Sequence, residues 1–372
     1  MGDQGHPDPV AGGNRAPRFA TPDWWIYRGI GRPWRDVRPI DLLPPPPPWR
    51  VFDGGPLPES DTPPADDGEE QRRLGVEPNL SERDVDPREA DAVNAALYLR
   101  RPLIVTGRPG TGKSTLAFRI ARELGLGRVL QWSIASRTTL QSGLYGYDPI
   151  GRVQAAAAGQ AAKRVDGAGA DGADIPPEPP IGDFLRLGPL GTAFLPSATP
   201  RVLLIDEFDK SEVDLPNDLL GIFENGRFTI PELARIAHRT SEVSVFTDDP
   251  DRRAVIHDGR VQCREFPVVV ITSNGDRDFP EAFLRRCLQL HLAEPGIDQL
   301  AAIVAAHLRA DDDERRVALI QEFVDRSAAL GGLPANKLLD AVFLATSGAY
   351  QEQDDSWPRL LDALWQRLTS VS

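Results

Sequence analysis

The segment LIVTGRPGTGKST, residues 103–115, constrains this chain more than any other stretch. An apolar run precedes Gly107, and a helical pattern follows Gly112, Lys113 and Ser114, which gives the spacing G-x-x-x-x-G-K-S. In this context glycines let main-chain N–H groups curl round phosphates, the lysine reaches the β and γ phosphates, and the hydroxyl can bind Mg²⁺. The motif therefore predicts a nucleotide site. Its expected members are Gly107, Pro109, Gly110, Thr111, Gly112, Lys113, Ser114 and Thr115.

Four apolar runs predict the strands of one sheet, at 103–105, 129–134, 202–205 and 268–272. Three of them, LIV, VLLI and VVVIT, are continuous rather than alternating, which is typical of parallel strands buried on both faces. After residue 295 apolar residues recur at helical spacing. We therefore expect an α/β fold, with a parallel sheet in a domain over 76–294 and a small all-helical domain over 295–372.

Acidic residues follow the second continuous strand, in RVLLIDEFDK. Asp206 is expected beside Ser114, where it would help to hold Mg²⁺, and Glu207 where it can polarise a water for attack on the γ-phosphate. The next strand ends on Asn274, whose amide could orient that water. The guanine-recognition sequence N-K-x-D does not occur in the chain, which favours ATP over GTP.

Composition bears on three questions: whether the chain binds nucleic acid, whether it associates with a membrane, and what its cysteines do. The formal net charge of −13 disfavours a protein that holds nucleic acid by bulk electrostatics. We see neither an apolar run of membrane-spanning length nor a secretory signal, so we expect no membrane association and a cytoplasmic location. Cys263 and Cys287 form no C-x-x-C pattern and have no histidine cluster beside them, so we expect both in the core.

Residues 1–75 are rich in proline and glycine, and we expect an arm rather than a domain. LLPPPPPWR at 42–50 favours a stiff polyproline II segment. The aromatic stretch TPDWWIYRGIGRPW leaves two interpretations open: a flexible linker, or an arm that docks on its own core, a neighbouring subunit or a partner. LPESDTPPADDGEE after it is expected to be a solvated connector.

Helix and loop signals suggest where order begins and where it is interrupted. Asp86 is a suitable N-cap and Pro87 fits the first helical position, so order is expected to begin near these residues. Residues 154–180 are low-complexity and predict a mobile loop after a short helix. An Asp-Gly pair within 254–263 predicts a β-hairpin. Residues 77–82 are our guess for the adenine pocket.

Taken in order, these motifs resemble the AAA+ ATPases, and within them the MoxR-like branch, which is similar to dynein-type modules. The resemblance rests on GRPGTGKS (107–114), LLIDEFDK (203–210), the hairpin before the third strand, ITSN (271–274) and PEAFLRRC (280–287), followed by a helical lid. It covers about residues 85–372. It implies a three-layer P-loop NTPase domain with a helical lid that works as a homo-oligomer, normally a hexamer. It also implies Mg²⁺-dependent ATP hydrolysis that remodels or activates a partner protein, often one with a von Willebrand factor A domain.

The resemblance also implies roles for basic residues late in the motif series. In such proteins an arginine after the sensor strand neutralises charge on the neighbour's γ-phosphate, so Arg286, with Arg285 as support or substitute, resembles an arginine finger. Such a finger is worth about 10³ to 10⁵ in rate, or about 4 to 7 kcal/mol. The alternative is a pair of solvated surface arginines. A second sensor on the lid is implied at Lys337, with a solvated helix face as the alternative.

By the same analogy GPLGTAFLP, residues 188–196, belongs to an insert near the central pore of the ring, and residues 136–152 form the loop before it. Tyr145 and Tyr147 either touch a translocated chain or pack against the insert. Two function classes stay open: a motor that remodels a partner protein, and an ATP-binding switch or scaffold with slow hydrolysis that recruits an effector protein. The acidic charge balance disfavours a motor on DNA or RNA.

Overall fold

The computed structural model describes residues 21–32, 38–58, 62, 64–76, 86–166, 179–308, 313–330, 333–346 and 356–365. Its α-helices are α1 (Glu69–Leu74), α2 (Pro87–Leu99), α3 (Lys113–Leu124), α4 (Leu140–Leu144), α5 (Pro149–Asp166), α6 (Pro189–Ala193), α7 (Leu215–Asn225), α8 (Pro231–Ile236), α9 (Glu281–Leu284), α10 (Ile297–His307), α11 (Asp313–Leu330), α12 (Ala335–Thr346) and α13 (Trp357–Leu364). Its strands are β1 (Leu103–Thr106), β2 (Leu130–Ser133), β3 (Tyr145–Tyr147), β4 (Leu185–Leu187), β5 (Val202–Asp206), β6 (Arg227–Thr229), β7 (Glu242–Phe246), β8 (Arg253–His257), β9 (Arg260–Gln262), β10 (Val268–Ser273) and β11 (Leu288–His291).

Parallel strands form the central sheet, in the order β11-β1-β10-β5-β2. Because successive residues of a strand point to opposite faces, Ile104 and Leu203 pack into one core while Leu103 and Leu204 pack into the other. All four side chains are buried. Burial on both faces explains why these strands read as continuous apolar runs, and the predicted parallel sheet is confirmed.

Two helices beside the sheet have clear start signals. Asp86 caps α2, since its Oδ1 accepts the N–H of Arg88 at 2.9 Å, and Pro87 occupies the first turn as predicted. Helix α3 begins after Gly112 and ends before Gly125, which has a φ of 67° and so favours glycine. The loop between β1 and α3 is six residues long. It therefore holds the N-terminus of α3 at the carboxyl end of β1.

The C-terminal helices α10 to α13 enclose a core of their own, which includes Leu338, Val342 and Trp365. This helical lid approaches the loop before α3, because a Cβ placed on Gly110 would lie 2.3 Å from Cα of Pro334. Gly110 also has a φ of 83°, so the close contact and the left-handed backbone both require glycine. The predicted fold class, an α/β domain with a parallel sheet followed by a helical lid, is confirmed. Our boundaries between arm, sheet domain and lid stay predictions.

A second sheet covers one side of the domain, in the order β3-β4-β7-β8-β9-β6 among the described residues. The hairpin of β8 and β9 turns at Asp258 and Gly259, as the Asp-Gly pair predicted. Val245, Ile256 and Val261 bury their side chains in the core that this sheet shares with the central one. Cys263 and Cys287 are buried there as expected, and burial raises the pKa of each thiol to about 12.

The N-terminal arm contradicts the expectation that order begins near Asp86. Ile26 and Tyr27 lie fully buried among α2 and α3, so the docked interpretation holds for this stretch, with its own core as the partner. The expected solvated connector is also wrong at its end, because α1 begins at Glu69 and Arg122 of α3 donates to Glu70 at 2.6 Å. Trp34 lies outside the described residues.

The expected mobile loop at 154–180 is wrong in its first part, since α5 continues to Asp166. Residues 167–178 lie outside the described part of the chain. Alanine is the strongest helix former, and the run of alanines in this segment extends the helix. Within the described part of the chain, no helix combines the length and apolar character that a membrane span needs.

Candidate nucleotide-binding site

A cavity of about 550 Å³ opens where β1, β5 and β10 end and α3 begins. Ligands of open α/β sheets bind at the carboxyl ends of the strands, so this is the expected position for a site. Most of the residues that the sequence singled out line this cavity: Pro109, Gly110, Thr111, Gly112, Lys113, Ser114, Thr115, Asp206, Glu207 and Asn274. Gly107 contributes its carbonyl oxygen to the lysine of the same loop. Three separate strands therefore bring one set of polar groups together.

Lys113 is buried, with only 8% of the residue exposed, and three hydrogen bonds hold its side chain. Its Nζ donates to the carbonyl oxygens of Gly107 and Arg108 at 2.8 and 2.9 Å, and to Oδ1 of Asn274 at 2.8 Å. Burial lowers the pKa of Lys113 below its ordinary value, and nearby carboxylates, Asp209 foremost, oppose that shift. The loop thus places an ammonium group beside the amide for which we predict a role in orienting water.

Asp206 accepts hydrogen bonds from two neighbouring hydroxyl groups. Its Oδ1 accepts hydrogen bonds from Oγ of Ser114 at 2.7 Å and from Oγ1 of Thr272 at 2.5 Å. Thr272 Oγ1 in turn accepts the main-chain N–H of Glu207 at 2.9 Å. A carboxylate beside a serine hydroxyl is a suitable pair of protein ligands for Mg²⁺, which takes its other ligands from phosphates and waters. Among the described residues no group of three or more His, Cys, Asp or Glu side chains is placed to hold a metal ion.

Glu207 follows Asp206 in a left-handed conformation, with a φ of 60°. Its side chain is half-exposed, and Oε2 accepts a hydrogen bond from Nζ of Lys210 at 2.6 Å. Non-glycine residues adopt this conformation uncommonly, and such residues cluster at functional sites. Glu207 and Asn274 both line the cavity, at the ends of β5 and β10.

The arginine pair lies elsewhere, at the end of α9. Arg285 donates to Glu281 at 2.6 Å, and Arg286 pairs with Glu224 and donates to the carbonyl oxygen of Ala282 at 3.0 Å. Both guanidinium groups are exposed, and neither belongs to the cavity lining. The structure does not bring them to the phosphate loop of their own subunit.

Lys337 also differs from the expectation. It lies in α12, where Ala335, Asn336 and Leu339 line the cavity but Lys337 does not. Its carbonyl oxygen accepts the indole N–H of Trp365 at 3.2 Å, which ties α12 to the end of α13. The helix turns its lysine away from the lining that its neighbours provide, and a second-sensor role for Lys337 stays a prediction.

Tyr145 packs against its own protein. Its side chain is buried, and its hydroxyl donates to Oε2 of Glu232 at 3.0 Å. It lies in β3, which pairs with β4, so residues 136–152 are a helix, a strand and the start of α5 rather than one loop. Tyr145 therefore packs within its own protein, although its hydrogen-bond partner lies in α8 and not in the segment 188–196. Tyr147 is partly exposed on the same strand.

Sequence reasoning missed part of the cavity lining. Gly29 and Gly31 of the arm contribute to it, together with polar side chains of α2 and α3. These are Glu89, Arg119 and Arg122, with Arg119 donating to Glu89 at 2.7 Å. The guessed adenine segment, 77–82, lies outside the described residues. The one available signal was the aromatic cluster of the arm, which indicated docking but not where.

Comparison with known proteins decides the family. A model of the AAA domain (dynein-related subfamily) matches residues 102–287, which is half of the 372 residues. The chain belongs to this family. The matched AAA domain runs from the start of β1 to the end of the arginine-containing segment after α9, and so contains the phosphate loop, both carboxylates and Asn274. Proteins of this family are in general ATPases.

A second comparison finds a relative in another branch. The chain is 39% identical over 89 residues to the Holliday junction branch migration complex subunit RuvB of Prochlorococcus marinus (strain MIT 9313). The match covers 23% of this chain and 25% of that protein. The chain thus spans about a quarter of the length of this relative, and the likeness supports an AAA+ assignment.

Proposed function

We propose that this protein is a Mg²⁺-dependent, MoxR-like ATPase that works as a homo-oligomer, normally a hexamer, and that remodels or activates a partner protein. The observation that carries the proposal is the meeting of Lys113, Asp206, Glu207 and Asn274 in one cavity, although they lie at or after the ends of three different strands. A hairpin directly before the sensor strand β10 supports the MoxR-like branch.

The residues present fit ATP and Mg²⁺. Main-chain N–H groups in the first turn of α3 have no partner within the helix, and together with Lys113 they would bind phosphates. Ser114 and Asp206 would hold Mg²⁺, which neutralises phosphate charge when bound. Glu207 would accept a proton from the attacking water, and the amide of Asn274 would orient that water. Binding, positioning and proton transfer are thus assigned to separate side chains.

The exposed position of Arg286 supports an oligomer. If Arg286 is the arginine finger that the family resemblance implies, its exposed guanidinium, outside the cavity of its own subunit, would act on a neighbour's nucleotide. The proposed work on a protein partner, including partners with von Willebrand factor A domains, comes from the family resemblance. RuvB is named as part of a Holliday junction complex, but the short match and the net charge of −13 favour a protein partner over nucleic acid here.

The deciding experiment replaces Glu207 by glutamine, which keeps the shape of the side chain and removes the base. We expect the dissociation constant for ATP to stay within about threefold of wild type while kcat falls about 100- to 10,000-fold. Fluorescent-nucleotide binding and steady-state phosphate release measure the two quantities. Glu212→Gln makes the same change at an exposed position, and we expect it to leave both unchanged. Undiminished hydrolysis in Glu207→Gln would remove Glu207 from the mechanism.

The same assay separates the motor from the switch. A turnover rate that rises when a protein partner is added supports the remodelling motor. A slow rate that no partner raises supports the alternative, in which ATP binding orders the assembly and recruits an effector. Lys113→Ala should abolish nucleotide binding in both cases, because its ammonium group is the cation inside the phosphate loop.

A further inference from the structure

Asp209 is a buried carboxylate that the proposed chemistry leaves without a role. It lies in the short 3-10 helix Phe208–Lys210 that follows β5, and only 6% of it is exposed. Its Oδ2 accepts the main-chain N–H of Asn274 at 2.9 Å and of Asp276 at 3.4 Å. Its Oδ1 is buried and has no hydrogen-bond partner among the described residues.

A carboxylate in this position costs stability. Burying a charge is unfavourable unless hydrogen bonds compensate it, and an unpartnered buried oxygen adds to the cost. Buried polar atoms in folded proteins are nearly always partnered, so an exception calls for a reason beyond folding. The two N–H groups that Asp209 does accept belong to the loop after β10. The reason therefore concerns this loop.

That loop contains the amide at the centre of the site. Asn274 accepts a hydrogen bond from Lys113, and it follows a strand whose Thr272 donates to Asp206. β5 and β10 are neighbours in parallel register, with Ile271 beside Ile205. The ladder between β5 and β10 pairs residues as far as Ile271, and Thr272 continues the connection through its bonds with Asp206 and Glu207. Asp209 supplies the next connection between these two segments, at Asn274, where the amide must be aimed.

We propose that Asp209 is a positioning residue, which fixes the main chain at Asn274 so that the Asn274 amide faces the phosphate end of the cavity. The inference rests on the proposed function, because the amide matters only if a water attacks there. Asp209 does not line the cavity and touches neither nucleotide nor water in this role. It acts through hydrogen bonds to the main chain, for which the acceptor oxygen is essential and the charge is not.

The test compares Asp209→Ala with Asp209→Asn. Alanine removes the acceptor, so kcat should fall about 10- to 100-fold while KM for ATP stays within about threefold, because misplacing a catalytic group by about 1 Å has this effect. Asparagine keeps a carbonyl oxygen that can accept both N–H groups, so it should retain kcat within about fivefold. Asp218→Asn, at an exposed position on α7, is the matched control and should change nothing.

A double-mutant cycle shows whether Asp209 acts through Asn274. Asp209→Ala combined with Asn274→Ala should be no slower than Asn274→Ala alone, because a misplaced amide and a missing amide have the same consequence. Effects that multiply in the double mutant would overturn the proposal. So would an increase in KM with unchanged kcat, or an Asp209→Asn variant as slow as Asp209→Ala.

Amide hydrogen exchange tests the positioning without reference to hydrolysis. Residues 271–277 should exchange faster in Asp209→Ala than in wild type, and at the wild-type rate in Asp209→Asn. Unchanged exchange in Asp209→Ala would overturn the proposal. If wild type binds ATP but never hydrolyses it, the proposed function fails, and the exchange result alone then decides whether Asp209 holds the loop.

Discussion

At the scale of single residues, Glu207 of the candidate site adopts an unfavourable backbone conformation. Its left-handed conformation costs about 1 to 2 kcal/mol relative to glycine, which adopts it freely. The main-chain N–H of Glu207 is held by Thr272, so the neighbouring strand stabilises the turn. An acidic residue in a conformation that favours glycine is consistent with selection for its carboxylate rather than for the turn.

Glu123 gives a prediction about pH at the same scale. Its carboxyl group is fully buried and accepts the N–H of Arg28 at 2.5 Å and of Gly31 at 3.0 Å. Burial raises the pKa of Glu123 to about 7, although those hydrogen bonds lower it. The folded pKa exceeds the unfolded one, so this group stabilises the fold at low pH and loses that contribution as pH rises through about 7.

We therefore expect the free energy of unfolding of wild type, relative to Glu123→Gln, to fall by about 2 kcal/mol between about pH 5.5 and about pH 8. Urea unfolding of both proteins across this range measures the difference, and the glutamine variant removes the titration of this one group. A difference that rises with pH would contradict a raised pKa and would mean that the carboxylate is the stabilising form.

At the scale of elements, the arm is attached by one side chain more than by any other. Asn94 of α2 is fully buried, and its Oδ1 accepts the N–H groups of Ile26 and Tyr27 at 2.9 and 3.0 Å. Its Nδ2 donates to the carbonyl oxygen of Tyr27 at 2.7 Å. The side-chain amide of Asn94 supplies the hydrogen bonds that a neighbouring strand would otherwise give to the main chain of the arm. The arm therefore packs against a helix without joining a sheet.

We expect Asn94→Ala to release the arm, because two buried N–H groups lose their acceptor at a cost of about 1 to 3 kcal/mol each. Trypsin should then cleave after Arg28 faster than in wild type. Nucleotide affinity should also fall, because Gly29 and Gly31 line the cavity. Limited proteolysis followed by mass spectrometry, and fluorescent-nucleotide titration, measure the two effects.

Asn225→Ala is the matched control for this prediction. Asn225 is exposed at the end of α7, where its side chain donates to the carbonyl oxygen of Gly221 at 2.8 Å. Its loss should change neither cleavage nor nucleotide affinity. If Asn94→Ala leaves cleavage after Arg28 at the wild-type rate, the arm is attached mainly by the apolar contacts of Ile26 and Tyr27.

At the scale of the whole molecule, Arg286 predicts a shared active site. Because Arg286 is exposed and outside the cavity of its own subunit, we expect the ATPase rate per subunit to rise steeply with protein concentration. Arg286→Ala should lower that rate by about 10³ to 10⁵. Arg285→Ala, which removes a neighbouring exposed arginine, should have a much smaller effect. A concentration-independent rate that the mutation leaves unchanged would mean that both arginines are surface residues.

Mixing variants sharpens this experiment. Glu207→Gln keeps Arg286, and Arg286→Ala keeps Glu207, so each supplies what the other lacks. If the site is shared, the mixture should regain activity that neither variant has alone, because some interfaces then combine an intact glutamate with an intact arginine. Activity equal to the sum of the separate variants would show that each subunit works with its own residues.

The sequence by itself determined the phosphate loop, the order of buried strands, the acidic pair after β5 and the amide after β10. These features depend on local patterns: a continuous apolar run for a strand buried on both faces, glycines at fixed spacing, and polar residues where a strand ends. Since parallel strands end at one edge of their sheet, the sequence alone places Lys113, Asp206 and Asn274 together.

Tertiary structure alone decided which parts of the arm and lid line the cavity and what holds the site in place. Three features depend on contacts between residues far apart in sequence. They are the burial of Tyr27, the position of Lys337 outside the cavity lining, and the hydrogen bonds between Asp209 and the loop after β10. No local pattern encodes such contacts, because an exposed and a buried asparagine or aspartate read alike in a sequence. Their partners are fixed only when the sheet, the arm and the lid have packed around them.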